Sequence, residues 1–423
     1  MVIKRDGRKV PFDKTKIEEA IYKAFKAVEG EISEYAVSKA KNIAAFIEEQ
    51  AQKRDLDISE IQNYVENGLM ATKKKDVARA YITYRNQRDI ERKRKSKYTQ
   101  IIKEKLMATN VQNQNANVDE KSFGGRAGEA MNEQNRQFAL DFVLSDMAKN
   151  NHLNNEIYIH DLDHYVLGDH NCLTLPIDDL LKNGCKVRQT DIRPAQSINT
   201  AFQLVAVLFQ LQSLNMFGGV SASHLDWTMV PYVRKSFYKH YRDGLKYIEN
   251  IEEWSIEKEQ VELISIEDRK IYDKEKAYKY ALDMTKKELN QSVEGMFHNL
   301  NTLQSRSGCQ LPFSSINYGT CTLTEGRMTT KAILEGSIKG VGKFHRTCVF
   351  PCQIFQCMKG VNRKKGDPNY DLFQLALKST AQRLYPNYCN VDWSINEGYD
   401  KNDPKTYVST MGLVSILSSC KIF

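Results

Sequence analysis

The chain has 423 residues, 41% hydrophobic and 27% charged, with a formal net charge of +8; this length predicts a small unit joined to a larger one rather than a single core. No run approaches the roughly 20 apolar residues of a membrane span, and the start, Met1-Val2-Ile3-Lys4-Arg5, has no apolar signal region, so a cytoplasmic protein is expected. Nine cysteines, an odd number without a secretion signal, read as reduced thiols rather than a disulfide framework.

Val2 to Arg5 and Arg8 to Phe12 flank Asp6-Gly7, a pair suited to the positive dihedrals of a tight hairpin turn. Asp13 can cap a helix whose Ile17, Ala20, Ile21, Ala24, Phe25 and Val28 recur with helical spacing. A second helix is predicted over about Tyr35 to Gln50. A third starts near Asp57 and Glu60, a capping-box pair, with Ile58, Ile61, Val65 and Leu69 facing inward. A fourth begins near Asp76 and carries Val77, Tyr81 and Tyr84. Lys4, Arg5, Arg8, Lys9, Lys14 and Lys16 gather cations on the hairpin and at a helix entrance, where backbone N–H groups also favour an anion. Phosphate binding and plain soluble surface both fit that cluster, and no Gly-x-x-x-x-Gly-Lys loop decides between them.

Residues 91–105 hold seven Lys/Arg against two Glu. No aromatic platform or DNA-binding motif accompanies them, so they read as a solvated helix face or linker, and specific nucleic-acid binding is not expected. Gly124-Gly125 and the polar Val111 to Asn117 extend the linker over residues 93–131. Next, Glu156 to Asp163 alternates like a short strand, with Asn171-Cys172-Leu173 soon after. His160, Asp161, His164, Asp169 and His170 lack the paired spacing of a zinc site, so no metal is assigned. On the residues alone Cys172 reads as a buried small hydrophobe, Asn317 as a turn residue before Tyr318-Gly319, and the charged stretch 245–285 as ordinary surface helices.

Two sets of motifs change those readings. Val2-x-Lys4-Arg5-Asp6-Gly7-Arg8, Phe12-Asp13-x-x-Lys16-Ile17-x-x-Ala20-Ile21, Val65-Glu66 and Val77-Ala78-x-Ala80-Tyr81-x-x-Tyr84-Arg85 resemble the ATP-cone domain. Tyr158-Ile159-His160-Asp161, Asn171-Cys172-Leu173, Gln196-Ser197-Ile198-x-Thr200-Ala201, Phe217-Gly218-Gly219-Val220-Ser221, Ser305-Arg306-Ser307-Gly308, Pro312 to Thr320, Phe350-Pro351, Pro368-Asn369-Tyr370, Tyr385-Pro386 and Ser409-Thr410-Met411-Gly412 resemble, in order, the anaerobic class III glycyl-radical ribonucleotide reductases.

The resemblance implies an α/β protein: a helical ATP cone with a β-hairpin lid over residues 1–92, the linker and docking segment 93–131, and part of a ten-stranded α/β barrel of the glycyl-radical type over 132–412. It implies an allosteric ATP/dATP site at Val2, Lys4, Arg5, Gly7, Lys16 and Ile17. In the catalytic part it implies His160 and Asp161 as substrate-binding residues, Cys172 as the reductant beneath the sugar, and Asn317 contacting substrate and formate. The implied reaction removes the ribose 2′-hydroxyl of a ribonucleoside triphosphate by radical chemistry. Implied partners are a radical-SAM activating enzyme, formate or a small redox protein as reductant, and a second copy in a homodimer. A nucleotide sensor without catalysis, a cone-bearing repressor and a glycyl-radical lyase are the competing readings. The repressor's zinc ribbon and the lyase's adjacent cysteine pair are missing, and a pure sensor has no use for Cys172 and Asn317.

The resemblance stops at Gly412. The family continues Met-Gly-Cys-Arg, its cysteine forming the thiyl radical, whereas this chain reads Met411-Gly412-Leu413-Val414-Ser415. Residues 413–423 are therefore expected to be a tail outside the family, from a frameshift or intron read-through, with the family's zinc site and radical glycine not encoded and the chain inactive alone.

Overall fold

The computed structural model describes residues 1–4, 7–94, 97–107, 122–168, 171–187, 190–216, 218–306, 309–393, 400 and 413–414, in two compact units, Met1–Lys103 and Glu104–Phe423. No helix among these residues is long and apolar enough to cross a membrane.

The first unit runs β1 Val2–Ile3, β2 Lys9–Val10, α1 Lys14–Glu29, α2 Glu34–Lys53, β3 Leu56–Asp57, α3 Ile58–Met70 and α4 Lys75–Arg94, with α5 Lys97–Leu106 at its boundary. The hairpin forms as the sequence predicts: β1 and β2 are antiparallel with Val2 opposite Val10, and Gly7 turns at φ +80° while donating its N–H to the Lys4 carbonyl at 2.9 Å. The helix starts are legible too. Asp13 accepts the Thr15 N–H at 3.1 Å, and Asp57 and Glu60 form the reciprocal capping box, which satisfies two end groups that helix geometry leaves unpaired. Ile21, Phe25, Ala40, Ile47, Leu69, Val77 and Tyr81 fill the core. Val28, expected inside, is exposed, because the helix ends one residue later at Glu29, with Gly30 as its cap. β3, which has no pattern of its own in the sequence, adds in parallel to β1.

The second unit begins with α6 Phe123–Phe138, which runs into a π-turn at Ala139–Val143, and α7 Asp146–Leu153. The boundary expected at 131/132 falls inside α6. Ser122 caps that helix through the Gly125 N–H at 2.9 Å, so the two glycines read as linker form its first turn. Then come β4 Leu173–Thr174, α8 Ile177–Asn183, β5 Cys185–Val187, β6 Thr190–Ile192, α9 Ile198–Ser213, β7 Val220–Ala222, α10 Leu225–Thr228, α11 Val230–Ile248 and α12 Lys258–Val261. They are followed by α13 Glu275–Thr302, β8 Ser314–Tyr318, α14 Thr324–Lys339, β9 Cys352–Cys357, α15 Tyr370–Arg383, β10 Asn387–Asn390 and β11 Leu413–Val414.

Six of these strands make one sheet in the order β10-β9-β8-β7-β4-β11, every neighbouring pair parallel. Parallel neighbours need crossovers, and α9, α13, α14 and α15 lie on the connections. Leu173, Val220, Ala222, Ile316, Tyr318 and Phe355 of the strands share one buried cluster with Phe202, Phe297, Leu334 and Leu372 of those helices. β11 takes the sheet edge with Leu413 opposite Leu173.

Two expectations are corrected. Glu156 to Asp163 forms no strand: the Ile159 N–H goes to the His152 Nδ1 at 3.2 Å and Asp161 turns at φ +50°, so alternation without a neighbouring strand came to nothing. The stretch 245–285 is not simply surface helix. Between α11 and α13 it inserts Trp254 and Tyr272 beside Phe237 and Tyr241, with Trp254 at 4.9 Å and Tyr272 at 5.0 Å from the Tyr241 ring.

Candidate active site

Residues opposite each other in a sheet share a face, and side chains alternate along each strand. Thr174 stands opposite Ser221, Ser221 opposite Ser315, Ser315 opposite Cys352 and Asn317 opposite Ile354. These residues therefore lie on the face away from Val220, Ile316 and Phe355, the side chains packed under the helices. One face is mostly apolar and covered, with buried Ser314 and Gln353 the polar residues on it. The other carries a row of hydroxyls, an amide and a thiol, with Ile354 beside Asn317.

Thr174 Oγ1 and Ser221 Oγ are 2.6 Å apart and buried. The Ser315 hydroxyl is fully buried without a hydrogen-bond partner, a condition that buried polar groups seldom tolerate unless water or a ligand completes them. Asn317 is 1% exposed. The alternation carries Cys172, two residues before Thr174, onto the same face at the sheet's N-terminal edge. Its Sγ accepts the Gly219 N–H at 3.3 Å and lies 3.2 Å from Asn171 Oδ1. Gly218 explains that closeness: a Cβ there would sit 1.7 Å from the Asn171 carbonyl oxygen, so only glycine lets the two backbones meet. Cys352 Sγ, at the far end of the row, lies 3.4 Å from Tyr385 Oη. Burial pushes the Tyr385 phenol well above its ordinary value, and the neighbouring Cys352 adds to the effect.

The structure thus brings Cys172 and Asn317 onto one polar face. It does not bring His160 and Asp161 there. His160 is largely exposed and its Nδ1 contacts Asp161 Oδ2; neither residue hydrogen-bonds to Cys172 or Asn317. Asp169 and His170 lie outside the described residues. Sequence reasoning missed Thr174, Ser221 and Ser315, although the period-2 pattern of Ser315-Ile316-Asn317 was available as a signal. Among the described residues no three His, Cys, Asp or Glu side chains converge to hold a metal ion.

In the first unit, Val2 and Ile17 are buried, at 8% and 7% exposure. Lys16 is exposed and pairs with Asp13 at 3.5 Å, and Gly7 makes the hairpin turn. Arg5 lies outside the described residues. Lys9 is committed to Asp55 at 2.7 Å and Lys14 to Glu48 at 3.4 Å. A cleft of about 440 Å³ opens between α2 and α3, lined by Asn42, Phe46, Tyr64 and Asn67 among others, and none of the hairpin residues lines it.

The family model described as anaerobic ribonucleoside-triphosphate reductase matches residues 114–418, and the ATP cone domain model matches residues 1–90. The chain belongs to the anaerobic ribonucleoside-triphosphate reductase family. It is 34% identical to the anaerobic ribonucleoside-triphosphate reductase of Escherichia coli (strain K12) over 395 residues, 92% of this chain and 51% of that one. The Salmonella typhimurium enzyme of the same name is 32% identical over 394 residues, again 92% of this chain and 51% of the relative. This member of the family therefore spans about half the length of the curated relatives it matches. Among solved structures, the anaerobic ribonucleotide reductase from Thermotoga maritima in complex with dATP and CTP aligns with a TM-score of 0.43 at 14% identity, over 71% of this chain and 48% of that one.

Proposed function

We propose that the polar face of the parallel sheet binds a ribonucleoside triphosphate for radical reduction to the deoxyribonucleotide, and that the N-terminal cone binds ATP or dATP as effector. The observation that carries the reading is the concentration of polar groups on one face of the sheet: a thiol, a hydroxyl pair, a buried hydroxyl lacking a partner and a buried amide, with Ile354 the apolar strand residue beside them. Ribose offers hydroxyls that donate and accept, and Ser, Thr and Asn side chains do the same.

In this reading Asn317 holds a substrate hydroxyl, its amide donating to one partner while accepting from another, and in formate-dependent chemistry it orients formate as well. Cys172 gives its S–H proton to the 2′-hydroxyl as that leaves as water, and the two electrons of the reduction come from the reductant, formate being oxidised to carbon dioxide where it serves. Its position beside the Gly219 N–H suits a sulfur that gains negative character. The family's first step, abstraction of the 3′-hydrogen by a cysteine thiyl radical, has no residue assigned to it, since Met411-Gly412 is followed by Leu413. That substitution favours a second reading, an ATP/dATP-binding regulatory chain without catalysis. Val2, Lys4, Arg5, Gly7, Lys16 and Ile17 as effector contacts, His160 and Asp161 as substrate contacts, the activating enzyme, the reductant and the homodimer rest on family membership.

The test is whether CTP shields Cys172 from alkylation. Protection that is lost in Asn317→Ala supports the catalytic site. Alkylation at the same rate with and without CTP leaves the regulatory reading.

A further inference from the structure

Three buried polar side chains from separate segments converge on the turn that ends β8. Asp226, in α10, is 0% exposed, and its Oδ2 accepts the N–H groups of Gly319 at 2.8 Å and Cys321 at 2.9 Å. Its Oδ1 accepts the Trp227 N–H at 3.1 Å. Asn362, also 0% exposed, donates from Nδ2 to the Gly319 carbonyl at 2.9 Å and the Gln356 carbonyl at 2.8 Å. Asn369, likewise 0% exposed, donates from Nδ2 to the Gly319 carbonyl at 3.1 Å and the Cys321 carbonyl at 2.8 Å. Every backbone polar group of Gly319 and Cys321 is thereby held by a side chain from elsewhere in the unit.

This is more than a turn needs. A type of turn is set by a few backbone dihedrals, and Gly319 at φ +119° with the Phe355 ring 3.0 Å from its would-be Cβ already fixes this one. Burying a carboxylate for a turn alone is costly, and such a group persists where every lone pair is used and something depends on the resulting rigidity. What lies two residues upstream is Asn317.

We infer that Asp226, assisted by Asn362 and Asn369, is a positioning residue for Asn317: it fixes the Gly319–Cys321 turn and so sets the direction in which the Asn317 amide meets the substrate. The inference rests on the proposed reading of Asn317 as a substrate contact. Precise first contacts require supports that lock them from behind, and an amide whose two ends have different partners is the kind of group that a small rotation would disable. Asp226 touches no substrate in this scheme.

A double-mutant cycle in the full chain tests it, with CTP affinity read by equilibrium dialysis and the fold checked by thermal melting. Asn317→Ala and Asp226→Ala should each weaken CTP about tenfold, and Asp226→Ala should add nothing in the Asn317→Ala background, the non-additivity of two residues acting through one contact. Asp226→Asn keeps one oxygen for both turn N–H groups and should recover most of the affinity. Asp226→Ala weakening CTP equally in both backgrounds marks a general structural defect and overturns the inference while the Asn317 reading stands. Asn317→Ala without effect removes that reading and the inference with it. Should Asp226→Ala fail to fold, Asn369→Ser enters the same cycle with the same expected non-additivity.

Discussion

Replacing Gly218 by alanine puts the thiol's surroundings under direct strain. The new Cβ would lie 1.7 Å from the Asn171 carbonyl oxygen and 2.1 Å from its carbon, where real contacts stay beyond 3.0 Å. The backbones at 171 and 218 must separate by more than about 1 Å, an overpacking that destabilises by about 1–3 kcal/mol. The segments forced apart are those that carry Cys172 and the Gly219 N–H, so the 3.3 Å contact between them opens as well. All three tryptophans, Trp227, Trp254 and Trp393, lie in the second unit, so tryptophan fluorescence in urea follows that unit. The Gly218→Ala midpoint should fall by roughly 0.5–1 M, and the alkylation rate of Cys172 should change severalfold. Gly295→Ala is the control. It has nothing within 4 Å of its Cβ, lies inside α13, and should stabilise by up to about 1 kcal/mol through helix propensity. A Gly218→Ala chain that unfolds at the wild-type midpoint with Cys172 reacting at the wild-type rate refutes the reasoning.

Two further outcomes follow from buried titrating groups. Burial alone would raise the Glu288 carboxyl, but hydrogen bonds from His240, the Asn199 N–H and Ser236 outweigh it and hold the group below its ordinary 4.5. A carboxyl lowered on folding stabilises above its unfolded value, and that contribution is lost as pH falls through the folded value. Glu288→Gln should therefore unfold about 1–2 kcal/mol more easily at pH 7, with the gap to wild type closing as pH falls below the ordinary 4.5 and through the lowered folded value; a gap that is constant with pH in urea titrations contradicts this. Burial pushes the Cys348 and Cys357 thiols up to about 11, so both should stay protonated and react slowly with a disulfide reagent at pH 8, reacting fast once urea exposes them. Fast labelling of either in the folded chain, located by peptide mass spectrometry, argues against that burial.

The parts of the fold that the sequence makes legible are those set by neighbours in the chain. Asp6-Gly7 between two short strands, Asp13 before α1, and the Asp57/Glu60 pair before α3 each announce a local geometry that forms without distant help. What failed needed partners that the chain does not name. Glu156 to Asp163 alternates, but strand pairing is decided by what lies alongside, and there the His152 ring takes the Ile159 N–H. Leu56–Asp57 gave no strand signal because two residues beside a helix cap carry no pattern. Trp254 and Tyr272 sat in a charged stretch, and only their packing on Tyr241 shows that they form a core.

The site divides in the same way. Cys172 and Asn317 could be picked out by resemblance, and the alternation in Ser315-Ile316-Asn317 shows which way the latter faces once its strand is known to be covered by helices on the other side. The hydroxyl row was hidden because Thr174, Ser221 and Ser315 meet only through strand register. Asp226 was unreadable: its bonds reach 93 and 95 residues along the chain, and an isolated Asp before a Trp suggests nothing.

The most direct test of the polar face as a ribonucleotide site is the alkylation of Cys172 in the folded chain, followed peptide by peptide with and without CTP. With CTP at ten times its dissociation constant, a blocked thiol should react about tenfold more slowly, the free fraction setting the rate. Cys348 and Cys357 should be unaffected, and the protection should vanish in Asn317→Ala. Equal Cys172 rates at saturating CTP would contradict the account.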